Sequence, residues 1–288
     1  MSCETQNVDV TFNDTTAQSL AFDDATALSL AFDDVVNQNI QCSKFEAPVF
    51  APEDVLFEYF EADDLAVGNG NPVDSWIGRN GEATLTQNTS SARPTYRSST
   101  GGASLPGVEF DAVDDYLIAH SLASLFAKLG AASGHPEFTV FAVLSGGLFS
   151  TADWVWSAGF SASNTPFCGF QNAPSPLLWI RNDSGGTNMQ EAASVSRRDT
   201  DATVIQRVTE SDNTFDFWLG NTQDTADGAV TPSTNSNTYD RFAVGALART
   251  GFSQFGGFKL HAFGVSGTPL GDSDIADLQT YASDKWGY

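Results

Sequence analysis

The chain has 288 residues, enough for one large β domain or two smaller ones, and its 22 Phe and 6 Trp supply bulky core material. Its 36 acids against 13 bases give a formal net charge of −23. That excludes nucleic acid and anionic membrane surfaces as partners, because both are held by Lys and Arg. A coat this acidic keeps an abundant protein soluble and suits high salt, where self-repulsion is screened.

Residues 1–10 have neither a basic start nor an apolar run, so no secretory signal is expected. No stretch is apolar for the length of a membrane span. The expected product is therefore made in a cytoplasm, and the glycosylation-like triplets at Asn13, Asn88 and Asn182 carry no argument.

Residues 11–20, 21–30 and 31–40 are near-copies of one decapeptide, each with Phe at its second position and Asn-Asp or Asp-Asp next. Ile40-x-Cys42 reads as a degenerate further rung. Alternation ending in Asp-Asp predicts a short strand closed by a turn. Each rung has too few apolar side chains to be stable alone, so repeats of this kind need neighbours. Residues 1–47 are read as an anchoring and oligomerising arm; the alternative is a disordered acidic tail. Cys3, Cys42 and Cys168 are too few and too far apart for a disulfide framework or a zinc motif. Cys3 and Cys42 bracket the repeats and can meet only if the arm folds back.

Residues 48–288 form the second predicted domain. Strand-like runs recur at 55–60, 83–87, 108–110, 138–144, 154–160, 177–181, 203–208, 215–219, 241–246 and 258–265, separated by Gly/Asn/Ser/Asp clusters. Many short strands with turn-rich spacers predict an all-β, two-sheet antiparallel sandwich. The run 138–144 is apolar on both faces, as a central strand covered on each side would be. Alternation places Trp154 with Trp156, and Phe215 with Phe217, on shared faces. A short amphipathic helix is expected over 121–129. A terminal one is expected to be capped by Asp272 or Ser273, burying Ile275, Leu278 and Tyr281 and ending in Trp286 as a plug.

Several of these segments resemble concanavalin A-like, laminin-G-like jelly rolls. Ser75-Trp76-Ile77-Gly78-Arg79-Asn80-Gly81 is similar to that group's W-x-D-x-S-G loop, with Arg79 where Asp or Ser is frequent. Phe110-Asp111-Ala112-Val113-Asp114-Asp115-Tyr116-Leu117 is similar to its F-D-G-x-D-D-Y-L, with Ala112 in place of the usual Gly. The run 138–143 resembles the next strand, and Asp274-Ile275 through Lys285-Trp286-Gly287 resembles its closing E-I-x-x-L … K-W-G. The resemblance covers about residues 50–288. It implies a jelly roll, often carbohydrate-binding and often found on tailed-phage virions.

Glucanases of this fold place two carboxylates on one strand face for acid and nucleophile. In this sequence Glu58 and Glu61, followed by Asp63 and Asp64, come nearest, but alternation sets Glu58 and Glu61 on opposite faces and they read as solvated edge charges. Asp111, Asp114 and Asp115 can be written as calcium ligands, but a turn whose Asp side chains accept backbone N–H groups is the preferred reading. His120, His135 and His261 are scattered, which argues against zinc or a general base. No nucleophile elbow, P-loop or dinucleotide fingerprint is present. Trp154, Trp156, Trp179 and Trp218, with the loops at Gln171-Asn172 and residues 221–223, can supply aromatic platforms for a sugar; a large aromatic on a strand is more often core.

No catalytic, cofactor or metal residue is assigned. The expected protein is a non-enzymatic virion subunit (a decoration, fibre or tail-associated protein) docked on capsid or tail proteins and on copies of itself, with a trimer preferred. The alternative is a carbohydrate-binding module for host surface glycans, with a glycan-degrading enzyme behind both.

Overall fold

The computed structural model describes residues 50–98, 105–127, 136–146, 153–171, 177–184, 187–192, 202–210, 213–224, 228–229 and 235–287. The decapeptide repeats, Cys3, Cys42 and His135 lie outside them. The strands are β1 (Glu58–Glu61), β2 (Ser75–Ile77), β3 (Thr84–Thr86), β4 (Thr95–Arg97), β5 (Gly107–Asp111), β6 (Leu117–Ile118), β7 (Phe138–Ser145), β8 (Trp154–Phe160), β9 (Ser163–Gln171) and β10 (Leu177–Arg181). They continue with β11 (Thr187–Ala192), β12 (Ala202–Thr209), β13 (Thr214–Leu219), β14 (Thr222–Gln223), β15 (Gly228–Ala229), β16 (Arg241–Val244), β17 (Leu247–Ala248), β18 (Phe252–Ser253) and β19 (Gly257–Ser266), before helix α1 (Asp272–Trp286).

Two antiparallel sheets face each other as a jelly-roll sandwich. The first runs β14-β13-β12-β7-β19-β5-β4, with β1 laid along β19 beyond the end of β5. The second runs β11-β10-β9-β8-β16-β6-β3-β2, and β17–β18 is a separate hairpin. β7 sits mid-sheet and is buried along its whole length, as its unbroken apolar run predicts. Phe138, Val140, Ala142 and Leu144 point between the sheets. The opposite face of the first sheet carries α1, which contacts β12 and is tied down by Gln279 donating to the Gly220 carbonyl (2.9 Å) and by Asp272 accepting from Arg207 (2.6 Å).

The core is an aromatic stack. Phe126 lies parallel to Phe242 (centroids 5.5 Å, 14° between planes) and against Trp156 (4.9 Å) and Phe138 (5.0 Å). Each ring of this size contributes about 2–3 kcal/mol by burial. Phe126 is delivered by a 3-10 segment, His120–Phe126, where the sequence predicts an α-helix over 121–129.

Three further expectations are corrected. Trp154 and Trp156 do not share a face: the β8–β9 register slips between them, so Trp156 joins the intersheet core and Trp154 turns outward. Helix α1 starts at Asp272, so its N-cap is Gly271, which has no side chain to cap with, and the Asp272 carboxylate pairs with Arg207 instead. In that helix Tyr281 is half-buried rather than core, while Ile275, Leu278, Ala282 and Trp286 are buried. No helix among the described residues is long and apolar enough to cross a membrane.

Candidate functional site

Glu58 and Glu61 point different ways, as alternation requires, but neither is a solvated edge charge: both are buried. Glu58 accepts the backbone N–H groups of Tyr59 (2.9 Å), Asn80 (2.9 Å) and Ala83 (2.7 Å). Glu61 accepts from Tyr59 (3.1 Å), Tyr281 (2.9 Å) and Arg79 (2.9 Å) and pairs with Lys285, joining β1 to α1. Arg79 also holds Asp64 at 2.8 Å. These carboxylates are committed to structure.

The loop after β5 has the turn geometry its sequence predicts. Asp111 Oδ1 accepts the N–H groups of Val113 (2.8 Å) and Asp114 (3.2 Å), and Asp115 Oδ2 accepts that of Asp111 (3.1 Å). One oxygen from each of the three Asp lies within 4.8 Å of the others, a spacing the turn itself explains. Ala112 has φ 64°, the left-handed region where glycine would be unstrained.

Burial, then the Asp111 charge, pushes the Asp115 carboxyl up to about 7. An unfolded Asp ionises near about 3.9. Between those values the folded state holds the extra proton, so this group's contribution is intact below the unfolded value and is lost as pH rises through about 7. Asp115→Asn should therefore gain stability relative to wild type as pH is raised from about 4 to about 7. Urea midpoints across that range check it; a difference that stays constant would contradict the raised carboxyl.

A cavity of about 530 Å³ opens beside this loop, lined by Arg97, Glu109, Asp115, Ser145 and Lys259 among others. Its polar groups are largely matched from within. Arg97 pairs with Glu109 at 2.5 Å. The buried His261 donates from Nδ1 to the Pro106 carbonyl (2.6 Å), and its Nε2 shares a hydrogen bond with the Ser145 hydroxyl (2.7 Å). His261 thus ties three parts of the sheet together.

The outer face of the second sheet is different. Register pairs Trp154 with Gln171, sets Ser157-Gly169-Trp179 in one cross-strand row, and Gly159-Phe167-Arg181 in the next. The chain at 246–248 lies directly on β8, with Ser157 Oγ donating to the Ala246 carbonyl and accepting from Ala248 N–H, each at 2.7 Å. Gly159 makes this approach possible, because a Cβ there would sit 1.8 Å from the Ala248 carbonyl oxygen. That placement carries Arg249 over the Phe167 ring, 4.4 Å from its centroid; Arg181 lies 5.5 Å from the same centroid.

Trp154, Phe167 and Leu247 form a cluster apart from the core, with the half-buried Trp179 packed on it. Trp179 Nε1 donates to Gln171 (3.3 Å) and Trp154 Nε1 to Gln254 (3.0 Å). Of the four Trp considered as platforms, Trp156 is core and Trp218 is covered by Arg207, 5.0 Å from its ring. Trp179 alone of these four combines partial exposure with a neighbouring amide. Arg249 was missed by sequence reasoning: it comes from a turn, and nothing local in the sequence links it to Phe167.

No known family matches the sequence, and no curated protein matches it. Among solved structures the chain resembles the receptor-binding domain of botulinum neurotoxin type G (TM-score 0.52, 7% identity, over 79% of this chain and 51% of that one). It also resembles the CBM40 module of the Ruminococcus gnavus IT-sialidase (TM-score 0.46, 11% identity, 74% and 96% covered). A third is the NanB sialidase of Streptococcus pneumoniae (TM-score 0.47, 12% identity, 59% covered), of which the chain spans 27%. At these identities the likeness is one of fold: this chain is an all-β sandwich of the kind seen in the neurotoxin domain.

Proposed function

We propose that the body is a carbohydrate-binding module that recognises glycans without turning them over, through the face centred on Trp179. The observation that carries this reading is a half-exposed indole on a strand, edged by Gln171 and flanked by the guanidinium groups over Phe167. A flat apolar ring surrounded by hydrogen-bonding groups suits a sugar, whose ring has an apolar C–H face and a polar rim. The CBM40 module named above is bound to α2,3-sialyllactose in its structure, which is compatible with this use of a sandwich. The virion role expected from the arm and from the resemblance to phage-borne jelly rolls is independent of this reading, and the arm lies outside the described residues. A glycan-binding body displayed on a particle by residues 1–47 would unite the two.

Full-length protein on a glycan array should give binding that Trp179→Ala weakens at least tenfold, about 1.4 kcal/mol, with the thermal midpoint little changed. A blank array, or binding indifferent to Trp179, overturns the reading.

A further inference from the structure

The arginines of this body are largely paired with acids: Arg79 with Asp64 and Glu61, Arg93 with Asp74, Arg97 with Glu109, Arg207 with Asp216 and Asp272. Arg241 is held by the carbonyls of Arg249 and Thr250. Arg249 has no such partner: among the described residues no carboxylate lies within ion-pair distance of it, although the chain has 36 acids for 13 bases. Its Nε is buried and has no hydrogen-bond partner.

Asp183, two residues after Arg181, accepts from Thr238 N–H (2.8 Å) and hydroxyl (2.7 Å), and Asp240 accepts from Ser161 N–H (2.6 Å), so both are engaged elsewhere. Burial, with the Arg181 charge adding to it, makes the Arg249 guanidinium less willing to hold its proton. Stacking on Phe167 compensates part of this burial, but a ring face offers the guanidinium no carboxylate or carbonyl oxygen. An anion meeting the terminal N–H groups of Arg249, which are not among the buried unpartnered atoms, would pair the guanidinium and offset the repulsion between the two cations.

We propose that Arg249, with Arg181 beside it, is an oxyanion subsite of the Trp179 face, so that the glycan taken is one carrying a carboxylate or a sulfate ester. This rests on the reading of that face as glycan-binding. The guanidinium fork matches two coplanar oxygens and would do so beside the indole that holds the sugar ring. It also gives a strongly acidic protein a local cationic spot for an acidic ligand, which its net charge would otherwise repel.

The test uses the full-length protein on an array whose members occur in neutral, carboxylated and sulfated forms. The inference expects one acidic form to bind about tenfold or more tightly than its neutral counterpart; which acidic form it is identifies the anion. Arg249→Gln should abolish that preference while binding of the neutral form persists. Arg249→Lys, which keeps the charge without the fork, should restore only part of it. Raising salt should weaken the acidic members selectively. Equal binding of neutral and acidic members by the unaltered protein overturns the inference, leaves the Trp179 reading standing, and needs no variant to fold. So does a preference that survives Arg249→Gln. A blank array overturns both.

Discussion

Replacing Glu58 by Ala should destabilise the body by about 3 kcal/mol or more, because it strands buried backbone donors that cost about 1–3 kcal/mol each. The carboxylate is fully buried and accepts from Tyr59, Asn80 and Ala83, so a single side chain stitches β1 to the turn between β2 and β3. The fit is close enough that Gly78 has no room for a side chain: a Cβ there would lie 2.1 Å from the Glu58 carboxyl carbon. Asn80 reinforces the joint by donating to the carbonyls of Glu53 (3.0 Å), Leu56 (2.9 Å) and Phe57 (3.1 Å). Glu58→Gln should fall between wild type and Glu58→Ala, since its carbonyl oxygen can accept while its amide cannot. Urea unfolding followed by tryptophan fluorescence measures both. A Glu58→Ala loss within about 0.5 kcal/mol, the range of an ordinary surface change, would mean that water replaces the carboxylate and the joint is not structural.

That joint shows what alternation alone does not reveal. Charged residues on a short strand read as edge charges, yet β1 lies between the loop that Glu58 anchors and the helix that Glu61 grips through Tyr281 and Lys285. Both partners are far away in sequence. The strands that were legible are those rich in apolar and aromatic residues between turn signals: β7, β8, β10, β12, β13 and β19 appear within a residue or so of their expected limits. β9 was not legible, because Pro166 and Gly169 interrupt its pattern. The structure accommodates Pro166 in the stretch between the Phe160–Ser163 and Gly159–Phe167 pairings, where the ladder is irregular. The turn at residues 111–115 was legible, since Asp side chains announce their own backbone bonds. On the candidate face, Trp179 and Gln171 could be singled out by residue type. Arg249 could not, for its role depends on Gly159 letting residues 246–248 lie flat on β8.

The same register slip makes the two tryptophans of β8 a sharp test of the core. Trp156→Ala should cost about 3–5 kcal/mol, the range for deleting a large aromatic from a packed interior. The ring touches Phe126, Phe138 and Phe242 and has no solvent-facing side into which neighbours could relax. Its Nε1 also donates to the buried Gln206 Oε1 (2.9 Å), and Gln206 Nε2 already lacks a partner. Trp156→Phe should therefore cost about 1–3 kcal/mol even though most of the apolar volume is kept. Trp154→Ala should cost less than Trp156→Ala. Its ring packs in the small outer cluster with Phe167, under the chain around Gln254, which is exposed and free to close over the gap. Had simple alternation placed both rings on one face, the two losses would be similar. Chemical denaturation of the three variants separates these cases, and equal losses for Trp154→Ala and Trp156→Ala would contradict the slip and the separation of the outer face from the core.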